Sequence, residues 1–201
     1  DKVICLSQAT RSLLIADYQL KPEKTTVIYN GLKDEGRTIA EEERKKMKQS
    51  LSFDAEDSII LFVGRPDSIK GVDFLIKAFR RVLDVYPHAR LILAGDDSYN
   101  ICLKECSGIR SGITFTGKVD KEKLYQYYRI ADVGVIPSFH EQCSYVGIEM
   151  MMHGLPLIGT DSIGLGEMIV DELKVKLDES QEEQLSVELL TNKIISVLSS
   201  P

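Results

Sequence analysis

A chain of 201 residues, 43% hydrophobic, is long enough for one doubly wound α/β domain with a sizeable core. A formal net charge of −6 and an isoelectric point near 5.2 argue against a general nucleic-acid or anionic-membrane binder, since both require broad basic faces. No apolar run approaches the roughly 20 residues of a membrane span. Cys5, Cys102, Cys106 and Cys143 and the three histidines are scattered without zinc-type pairing, so reduced thiols and no metal are expected.

In chain order, Val3-Ile4-Cys5 opens as a strand-like run ahead of a helix, and residues 25–29 form a second apolar run. The stretch 33–49 is highly charged and reads as an exposed helix and loop without chemistry of its own. Apolar runs at 59–63, 90–94, 113–115, 133–136 and 155–158 are continuous rather than alternating, as in strands covered on both faces of a parallel sheet. Between them, Val72, Leu75, Ile76, Phe79, Val82, Leu83 and Tyr86 follow helical spacing up to Pro87. Leu124, Tyr127, Tyr128 and Ala131 repeat the pattern, and their aromatics are assigned to the core. Residues 146–153 have helical composition, ending at Gly154-Leu155-Pro156. Ser180-Gln181-Glu182-Glu183 reads as a capping box before a terminal helix carrying Leu190, Ile194, Val197 and Leu198. There is no repeat and no low-complexity linker.

Chemistry concentrates in two strand-to-helix loops. After the strand at 133–136 come Glu141 on a loop and Glu149, eight residues on, in the helix. In one continuous helix that spacing is about 80° of rotation and about 12 Å of rise, close enough to flank a single ligand. By itself the pair is equally compatible with a solvated helical glutamate and a carboxylate favouring the helix dipole. After the strand at 59–63 comes Gly64-Arg65-Pro66-Asp67-Ser68-Ile69-Lys70-Gly71. Arginine offers a planar fork for phosphate oxygens and lysine a point charge, while the glycines allow backbone N–H groups to approach at a helix N-terminus. An ordinary turn with two solvated cations would have the same composition. In open α/β sheets, ligands sit beyond the carboxyl ends of strands, where both loops fall.

Taken together, these pieces resemble the nucleotide-sugar domain of the family 4 glycosyltransferases, retaining enzymes of the GT-B architecture. The resemblance covers nearly the whole chain: Val3 to Ser7, Val27-Ile28-Tyr29-Asn30-Gly31, the Gly64 to Gly71 loop, Leu91 to Gly95, Ile113 to Gly117, the Glu141 and Glu149 pair, Gly154-Leu155-Pro156, and Gly164-Leu165-Gly166-Glu167. It implies a single Rossmann-like domain over residues 1–201, with 1–30 on the side facing a second domain. The N-terminal acceptor domain and a final crossover helix would lie outside the chain, which, starting at Asp1, reads as an excised piece expected to be inactive alone. Three departures from the family pattern, Cys143, Ser144 and His153, bear on donor identity rather than fold.

Carried onto matching residues, the resemblance gives Arg65 and Lys70 the donor diphosphate and Glu141 the hydroxyls of the transferred sugar. Glu149 takes the ribose diol, and backbone groups at Gly64, Ser144, Tyr145 and Val146 the phosphate cradle. Gly117, Lys118 and Val119 take the base edge. The two cations substitute for a metal ion and no cofactor is implied; the donor is a UDP-, GDP- or ADP-linked sugar, and the acceptor a glycan or glycolipid in polysaccharide or glycoconjugate synthesis. The expected location is cytoplasmic, with a membrane-peripheral setting as an option for the full-length enzyme. A non-catalytic nucleotide-sugar-binding module would keep the same pocket. Hydrolysis by the paired carboxylates is disfavoured because a hydrolase needs no phosphate clamp, and a dinucleotide oxidoreductase because Gly64-Arg65-Pro66 is not a G-x-G-x-x-G.

Overall fold

The computed structural model describes residues 1–95, 103–177 and 183–200. The chain runs β1 (Val3–Cys5), α1 (Gln8–Tyr18), β2 (Thr25–Val27), α2 (Glu41–Ser50), β3 (Ser58–Val63), α3 (Val72–Val82), β4 (Ala89–Ala94), β5 (Ile113–Gly117), α4 (Lys121–Ile130), β6 (Val133–Ile136), α5 (Tyr145–Met152), β7 (Leu157–Thr160), α6 (Leu165–Met168), β8 (Lys174–Val175) and α7 (Glu183–Leu198). Six strands form one parallel sheet in the order β5-β4-β3-β6-β7-β8. The chain walks outward from β3 to β5, returns to place β6 against β3, and walks outward again to β8. The reversal between β3 and β6 is the topological switch point of a doubly wound sheet.

The continuous apolar runs become strands covered on both faces. In β3, Ile59, Ile60, Leu61 and Phe62 are essentially inaccessible. One face packs against α3 and α7 through Leu75, Phe79, Leu190 and Ile194. The other packs against α4 and α5 through Tyr125, Tyr128 and Met150. The helical spacing of Val72, Leu75, Ile76, Phe79 and Val82 puts all five side chains in the core, as the sequence pattern requires.

Several expectations need correction. The run at 25–29 does not join the main sheet. Its strand stops at Val27 and pairs only with β1, because β1 turns into α1 at Ser7 and the ladder loses its partner after a last bond from Ile28 N–H to the Cys5 carbonyl. Ile28 and Tyr29 are exposed. The strand expected at 155–158 is displaced to 157–160, because Leu155 still closes the turn after α5, donating to the Met150 carbonyl, and Pro156 has no N–H. β8, two residues at the sheet edge, has no apolar run to announce it.

The charged stretch 33–49 is not merely an exposed helix and loop. Lys48 of α2 is 3% exposed, its ammonium donates to the Asp57 carbonyl at 2.7 Å, and burial lowers its pKa against the opposing pull of Asp132. Arg44 reaches Asp132 at 2.6 Å, and Asp132 also accepts the Ile59 N–H. These bonds fix α2 to the starts of β3 and β6. Most of the expected capping box, residues 180–182, and also Cys102 lie outside the described residues; Glu183 begins α7 and pairs with Lys77. Cys5 and Cys106 are buried, and Cys143 is half-buried.

Candidate functional site

The two loops singled out in the sequence leave the carboxyl ends of β3 and β6, on either side of the switch point. They are held together by backbone. Phe139 N–H donates to the Ile69 carbonyl at 3.0 Å. At Gly71 the backbone is left-handed (φ 64°), and a Cβ there would lie 2.2 Å from the Pro137 carbonyl oxygen, so only glycine lets the loops lie this close. A third loop supports them from behind: Gly164, at φ 90°, sits where a Cβ would come within 1.8 Å of the Gln142 carbonyl oxygen. Its neighbour Leu165 donates to the Glu141 carbonyl at 3.3 Å. This framework brings Lys70 Nζ to 2.8 Å from Glu141 Oε2, with both side chains largely shielded from solvent.

Arg65 is placed differently. Its side chain is 72% exposed at the rim, with Asp67 its nearest carboxylate at 3.7 Å. Asp67 also caps the short 3₁₀ turn Ser68–Lys70, accepting the Lys70 N–H at 2.9 Å, so that amide is already engaged. Asp73 lies in the first turn of α3, and burial raises its carboxyl pKa against the opposing influence of its own and the Phe74 backbone N–H. Of the N–H groups expected to face an anion after β3, that of Lys70 is satisfied by the loop's own Asp67 and that of Gly71 by the Ser68 carbonyl.

The start of α5 is open. Ser144 is its N-cap, 5% exposed, with Oγ accepting the Gly147 N–H at 3.1 Å. The two preceding amides, Tyr145 and Val146, have no acceptor among the described residues. Helix α1 begins with the same arrangement: Ser7 caps it and accepts the Thr10 N–H at 3.0 Å. There the two equivalent amides are filled by a carboxylate from a distant part of the chain, with Gln8 and Ala9 donating to Glu167 at 3.0 and 2.5 Å and Tyr29 adding its hydroxyl at 3.1 Å. Burial acts to raise the Glu167 carboxyl, but these donors outweigh it and hold the pKa below the usual glutamate range. The chain thus displays, at α1, an anion occupying the very amide pair that α5 leaves vacant.

Glu149 lies one turn into α5 and is half-buried. Its Oε2 accepts the Tyr128 hydroxyl at 2.8 Å, while Oε1 has no partner among the described residues. Gly117 ends edge strand β5 with φ 66°, and its carbonyl accepts the Gly95 N–H at 3.1 Å and the Thr116 hydroxyl at 2.7 Å. Lys118 is exposed and Val119 half-buried against the core. This end of β5 stands two strands, about 10 Å, from β3. Gly64 follows β3 and donates its N–H to the Ala94 carbonyl. A cleft of about 500 Å³ lies between the first segment, through Thr10, Leu13 and Asn30, and the β6 loop, through His140, Glu141 and Tyr145.

Of the residues expected from sequence, Lys70, Glu141, Ser144, Tyr145 and Val146 gather at the switch point. Glu149 lies deeper along α5, Gly117 to Val119 sit at the sheet edge, and Arg65 makes no contact with the gathered group. Sequence reasoning missed two partners. The sequence assigns Tyr128 only to the core; its hydroxyl, which a purely apolar position would not need, is the available signal. Glu167 belongs to the Gly164 to Glu167 stretch of the resemblance, but the sequence assigns it no role, because its partners are 158 and 159 residues away. Among the described residues no helix is long and apolar enough to cross a membrane.

Comparison with known proteins agrees with this architecture. Residues 57–199 match the family model described as glycosyl transferases group 1. An uncharacterized glycosyltransferase of Methanocaldococcus jannaschii is 30% identical over 177 residues, covering 86% of this chain and 45% of the relative. The alpha-monoglucosyldiacylglycerol synthase of Streptococcus pneumoniae is 30% identical over 179 residues, 86% of this chain and 40% of the relative. The chain therefore spans less than half the length of these curated relatives. The crystal structure of Anabaena HepE in complex with UDP and glucose superposes with a TM-score of 0.84 at 22% identity over 99% of this chain and 54% of that one. Sucrose-phosphate synthase from Thermosynechococcus elongatus superposes with a TM-score of 0.79 at 27% identity, over 100% of this chain and 50% of that one. A matched family model over residues 57–199, on a parallel sheet with its loops gathered at the switch point, identifies the chain as a member of the group 1 glycosyltransferases with the Rossmann-like fold of the GT-B enzymes.

Proposed function

We propose that residues 1–201 form the donor-binding domain of a retaining glycosyltransferase, which binds a UDP-, GDP- or ADP-linked sugar and, with an N-terminal acceptor domain, transfers the sugar to a hydroxyl of a glycan or glycolipid. The observation that carries this reading is the meeting of Lys70 and Glu141 across the switch point, 2.8 Å apart, beside the two vacant amides of α5. The diphosphate occupies the α5 amides and Lys70, with Arg65 closing from the rim. In the absence of ligand Glu141 neutralises Lys70. A diphosphate competes for the ammonium and releases Glu141 to accept hydrogen bonds from the sugar hydroxyls. As the bond to the diphosphate breaks, negative charge grows on the leaving oxygens, and two cations close by stabilise that state more than the bound substrate. Glu149 takes the ribose diol through its unpartnered oxygen, and the Gly117 to Val119 backbone faces the base. No metal ion is needed for the countercharge in this arrangement. The enzyme works in the cytoplasm, and the chain alone transfers nothing because the acceptor side is missing.

Calorimetry with UDP, GDP and ADP, with and without EDTA, tests the reading. Binding of at least one nucleotide that is indifferent to EDTA is expected; binding that appears only with magnesium or manganese would overturn the metal-free clamp. The stereochemical part is decided on the full-length enzyme, where NMR of the product's anomeric proton should show the configuration of the donor retained.

A further inference from the structure

Helix α4 enters the site through one atom. Tyr128 is 1% exposed, yet its hydroxyl donates to Glu149 Oε2 at 2.8 Å. Burial, and next the bond to Glu149, raise the phenol pKa well above its ordinary value, so this group remains a donor at any working pH. Its ring is gripped from the side: His153 packs on Tyr128 with centroids 5.3 Å apart and on Tyr125 at 4.5 Å. The His153 ring is itself fixed, with Nδ1 2.9 Å from the Glu149 carbonyl oxygen. A carbonyl can only accept, so Nδ1 carries the proton and donates. Backbone and side chain of Glu149 are thus held by two neighbours that lie one on the other. His153, a departure from the family pattern, fills the space between α4 and α5 and seats the tyrosine.

The bond also has a direction. Tyr128 engages Oε2 and leaves Oε1 without a partner among the described residues. A free glutamate side chain samples several rotamers, and presenting one oxygen to a ligand costs rotamer entropy. Here that cost is met when the chain folds, before any ligand arrives. We propose that Tyr128 is the positioning residue for Glu149: its hydroxyl turns the carboxylate so that the free oxygen faces the ribose diol, making selection of ribonucleotides depend on a residue that never touches the nucleotide. This rests on the assignment of Glu149 to the ribose given above.

The test is a double-mutant cycle on the 201-residue chain, with UDP and 2′,3′-dideoxy-UDP as probes in calorimetry. Tyr128→Phe keeps the ring and removes the hydroxyl. It should weaken UDP binding about three- to tenfold, the scale of one hydrogen bond, and leave the dideoxy ligand within about twofold. In a Glu149→Gln background the same change should add little, because the two residues act as one unit. Equal losses for both ligands, or additive effects in the cycle, would mean that Tyr128 is only part of the packing, and an unchanged UDP affinity would equally overturn the proposal. If Glu149→Gln itself fails to discriminate between the two ligands, it is the ribose assignment that falls, and the positioning role with it.

Discussion

Helices α1 and α5 start in the same way and are used in opposite ways. Each is capped by a serine whose hydroxyl accepts the third amide of the helix, and each leaves the first two amides pointing out of the helix end. In α1 the chain fills that pair with Glu167; in α5 nothing in the described residues does. The contrast teaches what a helix terminus is for. A carboxylate from the protein converts it into a fastening between distant segments, whereas a vacant pair beside Lys70 is a place for an anion that comes and goes. Helix α3 begins differently, with Gly71 as its N-cap and no side-chain cap.

The largest expected effect tests whether the vacant pair works with Lys70. Lys70→Ala should weaken UDP binding by about 1.5–3 kcal/mol, the scale of a hydrogen bond to a charged group. The affinity for uridine should hardly change. Equal losses for uridine and UDP in calorimetry would make the loop structural. Arg65→Ala acts in the same sense, but its effect should be the smaller, since that side chain must first be ordered from an exposed position.

Next in size is the cap that the two helices share. Ser144→Ala and Ser7→Ala should each lower stability by about 1 kcal/mol in denaturant unfolding. UDP affinity in Ser144→Ala should stay within about threefold of the parent, because the Tyr145 and Val146 amides are untouched. A loss of UDP binding as large as that in Lys70→Ala would show that the hydroxyl itself contacts the ligand.

The smallest effects concern the filled helix. Pyrophosphate should shift the amide resonances of Tyr145 and Val146 while leaving those of Gln8 and Ala9 in place, and Glu167→Ala should make the second pair respond as well. Because the folded Glu167 pKa lies below its ordinary value, its contribution is present above the ordinary glutamate pKa and is lost as pH falls through the lowered one. The protection of the Gln8 and Ala9 amides, their exchange rate relative to an unfolded chain at the same pH, should therefore fall in that acidic window in the parent chain and be low at all pH values in Glu167→Ala. Pyrophosphate shifts at Gln8 and Ala9 in the parent chain would erase the distinction between the two helices.

Much of this molecule is written locally. Continuous apolar runs dictate strands buried on both faces, the spacing of Val72, Leu75, Ile76, Phe79 and Val82 dictates which face of α3 is covered, and Gly71 marks a turn that no other residue tolerates at such a distance from Pro137. The positions of Lys70 and Glu141 in strand-to-helix loops, and of Glu149 in the helix that follows, come from the same reading. What only the tertiary structure decided is which partners those groups keep. Lys70 finds Glu141 across 71 residues, Tyr128 reaches Glu149 from the neighbouring helix, and Glu167 occupies α1 from the far end of the chain. The reason is physical: backbone preference and burial act over a few neighbours and leave a local trace, whereas a hydrogen bond between distant side chains depends on how elements pack, and its partners need no signature of their own.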